Sequence, residues 1–132
     1  MENILFDEQF NPKICDFGFA AFNEEKLNEY IGTITHAAPE IFLHNPYDGF
    51  KADIFSLGVI LFSLITCKSC FEKATRKDPD YYLIKNEYYK KHWNYVVGGE
   101  QGVSDEFKKL FYKMVSFNPQ DRPSIEDIVN DD

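Results

Sequence analysis

The sequence predicts a mainly α fold with a short β-hairpin at its N-terminus and one central buried helix. Three observations carry this prediction. Residues 52–66 are apolar on nearly every helical face, and a helix apolar all round is buried all round. Phe107, Leu110, Phe111, Met114 and Val115 recur at spacings of three and four, the period of an amphipathic helix. Two short β-prone runs, residues 3–6 and 13–15, flank a stretch of turn formers that includes Asp7, Asn11 and Pro12, which is the pattern of a hairpin.

Taken in order, the second β-prone run leads directly into Asp16-Phe17-Gly18. Residues 19–36 show no sustained periodicity, and a stretch that long in a compact domain is usually functional or disordered. A short helix is expected from Ala38, with Pro39 tolerated in its first turn, and residues 45–49 read as a turn. The helix over 52–66 has Asp53 near its start, where negative charge is favoured. Gly58 within it costs roughly 1 kcal/mol against alanine, a cost that a close neighbouring backbone would explain. Short helices are expected around residues 80–89. Gly98, Gly99 and Gly102 mark a loop; no Lys-Ser/Thr follows them, so they form no phosphate loop. Ser104 reads as the N-cap of a helix over 105–115. Asn118-Pro119 breaks the chain, and Ser124 caps a last helix ending near residue 129.

The 132 residues suffice for one real core, since a domain of this size buries about two thirds of the surface its unfolded chain exposes. A hydrophobic content of 44%, with 17% aromatic, excludes a disordered chain. The net charge of −8 argues against a general nucleic-acid binder. That charge is uneven: residues 1–53 hold 10 acids and 3 lysines, residues 54–132 hold 12 acids and 11 bases. Cys15, Cys67 and Cys70 form no disulfide framework. Cys67 and Cys70 have CxxC spacing, but a zinc site needs a second pair of ligands and a redox role needs a thioredoxin-like context; both cysteines are expected at a helix end. No secretory or transit pattern is visible. The longest apolar stretch, residues 54–67, is interrupted by Ser56, Ser63 and Thr66 and reads as too short and too polar to span a bilayer. The expectation is an intracellular protein of the cytoplasm, with no membrane insertion.

The order of the motifs decides the functional reading. Asn3 lies 13 residues before Asp16, Asp16 lies 24 before Glu40 in Ala38-Pro39-Glu40, Asp53 lies 13 beyond Glu40, and Arg122 follows Asn118-Pro119-Gln120-Asp121. In this order the whole chain closely resembles the C-terminal lobe of the eukaryotic-type protein kinase catalytic domain, of serine/threonine kind, from the end of the catalytic loop onward. The resemblance implies a partial kinase domain over 1–129, with a metal-binding hairpin over 3–16, an activation segment over 16–40, a helical subdomain over 41–129 and a tail of 130–132. It implies ATP and Mg2+ as cofactors, with Asp16 and Asn3 as metal ligands, Asp16 also facing the nucleotide, and Leu5 as the floor beneath adenine. Phe17 resembles the residue whose packing sets active and inactive states, and Gly18 gives the backbone freedom to switch. Thr33 resembles the threonine that positions the catalytic base and substrate hydroxyl. Glu29 stands near the place where related kinases carry an activating phosphothreonine, and its carboxylate would replace part of that charge; the plainer reading is an exposed loop glutamate. Glu40 and Arg122 resemble a buried ion pair, Asp53 a helix-cap aspartate bonded to the catalytic loop, and Ile60 and Leu64 a support for the adenine floor.

The chain also departs from the family pattern. His36 stands where tyrosine or tryptophan is usual, Phe55 where tryptophan is usual, Cys70 where proline often precedes Phe71, and Met1 in the slot of a proline. Residues 47–53 are weakly similar to the calcium/calmodulin-dependent and AMP-activated groups. The catalytic aspartate, four residues before the catalytic-loop asparagine plus one, would precede Met1, as would the lysine that touches the transferred phosphate. No Gly-x-Gly-x-x-Gly occurs among the 132 residues, so these residues are expected to lack the N-terminal lobe that holds ATP from above. The expected partner is therefore a protein substrate or the missing N-lobe, and the chain by itself is expected to be inactive. The alternative is a catalytically dead, pseudokinase-like binding or decoy module.

Overall fold

The computed structural model describes residues 3–22, 26–43, 45–99 and 102–130. Its first element is a hairpin of strands β1 (Ile4–Phe6) and β2 (Pro12–Ile14), antiparallel, with Ile4 opposite Ile14 and Phe6 opposite Pro12. Asp7 organises the turn: its carboxylate accepts the backbone N–H of Gln9 at 3.0 Å and of Asn11 at 2.9 Å. Those bonds and the Asn11 side-chain amide hold the Asp7 carboxyl below its ordinary pKa. Met1 and tail residues 131 and 132 lie outside the described residues.

Residues 39–43 form a 3-10 helix, Pro39–Leu43, where the sequence leads one to expect a short helix. Five residues offer too few i→i+4 bonds to hold an α-turn ladder, and short pieces commonly settle for i→i+3 bonding.

Helix α1 (Gly49–Thr66) is the post of the fold. It starts earlier than residue 52 because Asp48, in extended conformation, caps it, its side chain accepting the Lys51 N–H at 3.2 Å. Asp53 consequently lies in the second turn. At the far end Cys67 adopts the left-handed region, with φ 54°, and its N–H bonds back to Ser63 O. Cys67 is thus at a helix end, as expected, whereas Cys70 is buried three residues beyond it. Ala52, Ile54, Phe55, Gly58, Val59 and Phe62 are buried. Burial all round does not follow, however: Phe50, Leu64 and Ile65 stay exposed, because helices pack on one side of α1 and the described residues leave this other face open. As folded, α1 has 18 residues with mean hydropathy 1.6, longer than the apolar stretch read from the sequence and, by length and composition alone, enough to cross a membrane.

Two short helices follow, α2 (Pro79–Lys85) and α3 (Tyr89–Val96); the second extends well past the expected region. Asp78 starts α2, and its carboxylate accepts four backbone N–H groups, those of Glu72, Lys73, Asp80 and Tyr81, at 2.8–3.0 Å. Helix α4 (Asp105–Met114) begins with the Ser104 cap that the sequence marks. Helix α5 (Ile125–Val129) begins with a capping box between Ser124 and Asp127.

The core is aromatic. Phe62 of α1 meets Phe111 of α4 with ring centroids 4.8 Å apart and Trp93 of α3 edge-on at 5.6 Å. Each buried ring of this kind contributes about 1.5–3 kcal/mol over its exposed state. Gly58 permits the α1–α4 contact: a Cβ there would stand 2.9 Å from Met114 Cβ and 3.0 Å from Val115 Cγ1. The neighbour is therefore mainly side chain, where the sequence reading expected backbone.

Candidate functional site

The hairpin brings Asn3 and Asp16 to one end. The Cys15 N–H bonds to Asn3 O at 2.9 Å, one step beyond the Ile4–Ile14 pair, and Asp16 follows. Asp16 has φ 61°, a conformation that aspartate tolerates better than most residues. Its Oδ1 accepts the Gly18 N–H at 3.1 Å, closing a local turn. The φ of Gly18 is not positive, and a Cβ there would meet that same Oδ1 at 3.1 Å. Asn3, Leu5, Asp16, Phe17 and Gly18 are all exposed. The open end of the hairpin thus carries Asn3 and Asp16 close in sequence to the exposed Leu5 and Phe17.

The segment after Asp16 is tied down at defined points. Leu27 and Tyr47 form an isolated antiparallel bridge with two 2.9 Å bonds, and the Tyr47 hydroxyl donates to Glu29 O at 2.8 Å. The Glu29 and Thr33 side chains face solvent. Thr33 O accepts the His36 N–H at 3.0 Å, and Ser56 of α1 donates to His36 O at 2.9 Å. His36 is half-buried, which lowers its pKa, and its Nδ1 lies 3.1 Å from the Thr35 hydroxyl. Ala37 and Ala38 are buried behind it.

Glu40 and Arg122 form a bidentate ion pair. Arg122 donates from Nη1 to Glu40 Oε1 at 2.6 Å and from Nη2 to Oε2 at 2.7 Å. It also donates to Lys51 O at 2.8 Å and Ser116 O at 2.9 Å, and it lies 5.0 Å over the Phe55 ring. Lys51 returns a bond from its ammonium to Arg122 O at 2.6 Å. A buried guanidinium survives only when its charge is paired and its donors are satisfied. Phe55, at the position where tryptophan is usual, thus still stacks on the arginine.

The Asp53 side chain makes no hydrogen bond among the described residues. Protein atoms crowd its carboxyl and push its pKa up. Leu64 is exposed and Ile60 half-buried on the same side of α1. The Cys70 thiol is buried and its pKa pushed up to about 12, which leaves it protonated and unreactive. No cluster of three or more His, Cys, Asp or Glu side chains suited to a metal occurs among the described residues.

Sequence reasoning missed Tyr47, Ser56, Lys51 and Asp78 as anchors. Asp78 directly before Pro79 was a legible signal, since aspartate before a first-turn proline is a helix-start pattern. The other three carry no local signal, because their partners lie 18 to 71 residues away.

The family model described as the protein kinase domain matches residues 1–132, and the chain belongs to that family. It is similar to a CBL-interacting serine/threonine-protein kinase of Arabidopsis thaliana, 35% identical over 97% of this chain and 30% of that one. It is 36% identical to a serine/threonine-protein kinase of Schizosaccharomyces pombe, over 89% of this chain and 26% of that one. A serine/threonine-protein kinase of Caenorhabditis briggsae is 34% identical over 97% of this chain and 15% of its own length. The chain therefore spans less than a third of each of these relatives.

Proposed function

We propose that these residues work as the C-terminal lobe of a serine/threonine protein kinase, presenting metal ligands and an activation segment for ATP-dependent phosphoryl transfer to protein serine or threonine. The observation that carries this is Asn3 and Asp16 at the open end of one hairpin, in a chain matched to the kinase domain along its length. An amide oxygen and a carboxylate suit Mg2+, which takes one or two protein oxygens and completes its shell with water and nucleotide phosphates. When bound, the metal supplies neutralisation of charge on the transferred phosphoryl group. Asp16 would hold one ion and Asn3 would support a second, with Leu5 beneath the adenine ring.

In this reading residues 16–40 are the activation segment. Phe17 and Gly18 provide its switch, Thr33 positions the base and the acceptor hydroxyl, and Glu29 contributes a fixed negative charge. Glu40 with Arg122 locks the segment to the helices, and Asp53 meets the catalytic-loop backbone. The base and the upper nucleotide-binding lobe are not among these 132 residues, so the chain alone binds ATP weakly and transfers no phosphate. Its partners are a kinase N-lobe and a protein substrate, within the cell and in the cytoplasm. The exposed Leu5, Phe6, Ile14 and Phe17 also support a second reading, a catalytically dead binding module that uses this apolar face.

Paramagnetic broadening by Mn2+ with ATP tests the site. Resonances of Asn3, Asp16 and their neighbours should broaden in the wild-type protein and not in Asp16→Asn. Broadening centred elsewhere, or unchanged in Asp16→Asn, contradicts the assignment.

A further inference from the structure

Between α3 and α4 lies a cleft of about 410 Å³, far from the hairpin in sequence and absent from the reading above. Its aromatic part comes from Tyr89, Trp93 and Tyr112. Tyr89 and Tyr112 stack with centroids 4.0 Å apart and planes at 21°. The Tyr112 hydroxyl lies 3.0 Å from Tyr89 O and 3.1 Å from His92 Nδ1, and His92 Nε2 lies 3.1 Å from Cys70 O. Tyr112 is thus fixed by hydrogen bonds, Tyr89 is half-buried and stacked on it, and Trp93 is buried behind them with no partner for its indole N–H among the described residues.

Four lysines line the same cleft, Lys90, Lys108, Lys109 and Lys113, out of 14 basic residues in a chain of net charge −8. Lys108 is held 3.1 Å from Asp105 and lies 5.4 Å over the Trp93 ring. The other three are exposed, with no carboxylate within 4.0 Å among the described residues. Asp105 is the only acidic residue in the lining. The cleft therefore combines aromatic surface, mainly that of Tyr89, with three lysines that have no carboxylate partner among the described residues.

We infer that this α3–α4 cleft is a docking site for a short acidic peptide of a partner protein, with one large apolar side chain on the aromatic wall and flanking carboxylates on the lysines. Charge complementarity selects the occupant. A neutral or basic segment leaves the ammonium groups unpaired, and a small inorganic anion fills little of a cleft within the usual ligand-site size range. A long polyanion such as RNA needs an extended basic surface to release its counterions, and an anionic membrane needs a broad basic patch; the cleft offers four lysines, one of them paired with Asp105.

Fluorescence polarisation tests the inference. The probe is a dye-labelled peptide with one central phenylalanine and three glutamates on either side, mixed with the purified 132-residue chain. Saturable binding is expected, weakening at least about tenfold when salt rises from about 50 to about 300 mM. Trp93, the chain's single tryptophan, should change its emission on the same titration. Lys90→Gln combined with Lys109→Gln should weaken binding at least about tenfold with the circular dichroism spectrum unchanged; both side chains are exposed. Replacing every peptide glutamate by glutamine should have an equal effect. The inference is overturned if the acidic peptide does not bind, if the lysine variant or the glutamine peptide binds like the originals, or if poly(U) RNA or phosphatidylserine vesicles bind more tightly.

Discussion

Arg122 and Glu40, 82 residues apart in sequence, meet through two parallel bonds of 2.6 and 2.7 Å with the guanidinium fully buried. The pair joins the 3-10 helix Pro39–Leu43 to the turn before α5. Removing one partner of such a pair costs about 3–5 kcal/mol, because the other charge stays buried and alone. Arg122→Ala and Glu40→Ala should each lose stability on that scale in urea denaturation. Arg122→Lys should lose much of it as well, since an ammonium cannot reproduce the bidentate fork. A loss below about 1 kcal/mol for Arg122→Ala would show that the pair behaves like a surface contact.

Gly58 makes a prediction of opposite sign to helix propensity. Alanine in a helix interior is favoured over glycine by about 1 kcal/mol. At this position its Cβ would press within 2.9 Å of Met114 Cβ. Overpacking typically costs about 1–3 kcal/mol, so Gly58→Ala should lower the melting temperature. A rise would mean that α4 yields to the added methyl.

His92 gives stability a pH dependence. Burial lowers its pKa below the usual 6.5, against weaker opposing effects of the Cys70 carbonyl and Asp78. The unfolded chain then binds a proton that the native state resists. Stability should be fully present above about pH 6.5 and fall progressively as pH drops from there towards the lowered native value. Urea midpoints between about pH 5 and 7.5 check this, and His92→Gln should flatten that part of the profile.

What was legible in the sequence followed local chemistry. Ser104 and Ser124 marked their helices because a cap acts within three residues. The hairpin was legible because turn formers sit between two β-prone runs, and Asn3, Asp16, Glu40 and Arg122 stood out through their order. What was hidden depends on distant partners or on caps placed beyond the apolar pattern. Asp48, not Asp53, starts α1, since the cap lies outside the periodic run. The open face of α1 at Leu64 and Ile65 was hidden because apolar periodicity states which residues avoid water, not how many neighbours the fold supplies. Helix α3, with Lys90, Lys91, Asn94 and Tyr95 exposed beside buried His92 and Trp93, was masked by its mixed composition.

The most direct measurement is phosphate incorporation into a serine/threonine peptide by the purified 132-residue chain with Mg2+ and radiolabelled ATP. The proposed inactivity of the chain alone predicts incorporation no higher than in the protein-free control. Metal-dependent incorporation that Asp16→Asn abolishes would contradict it, because the chain would then hold a base and a nucleotide site of its own.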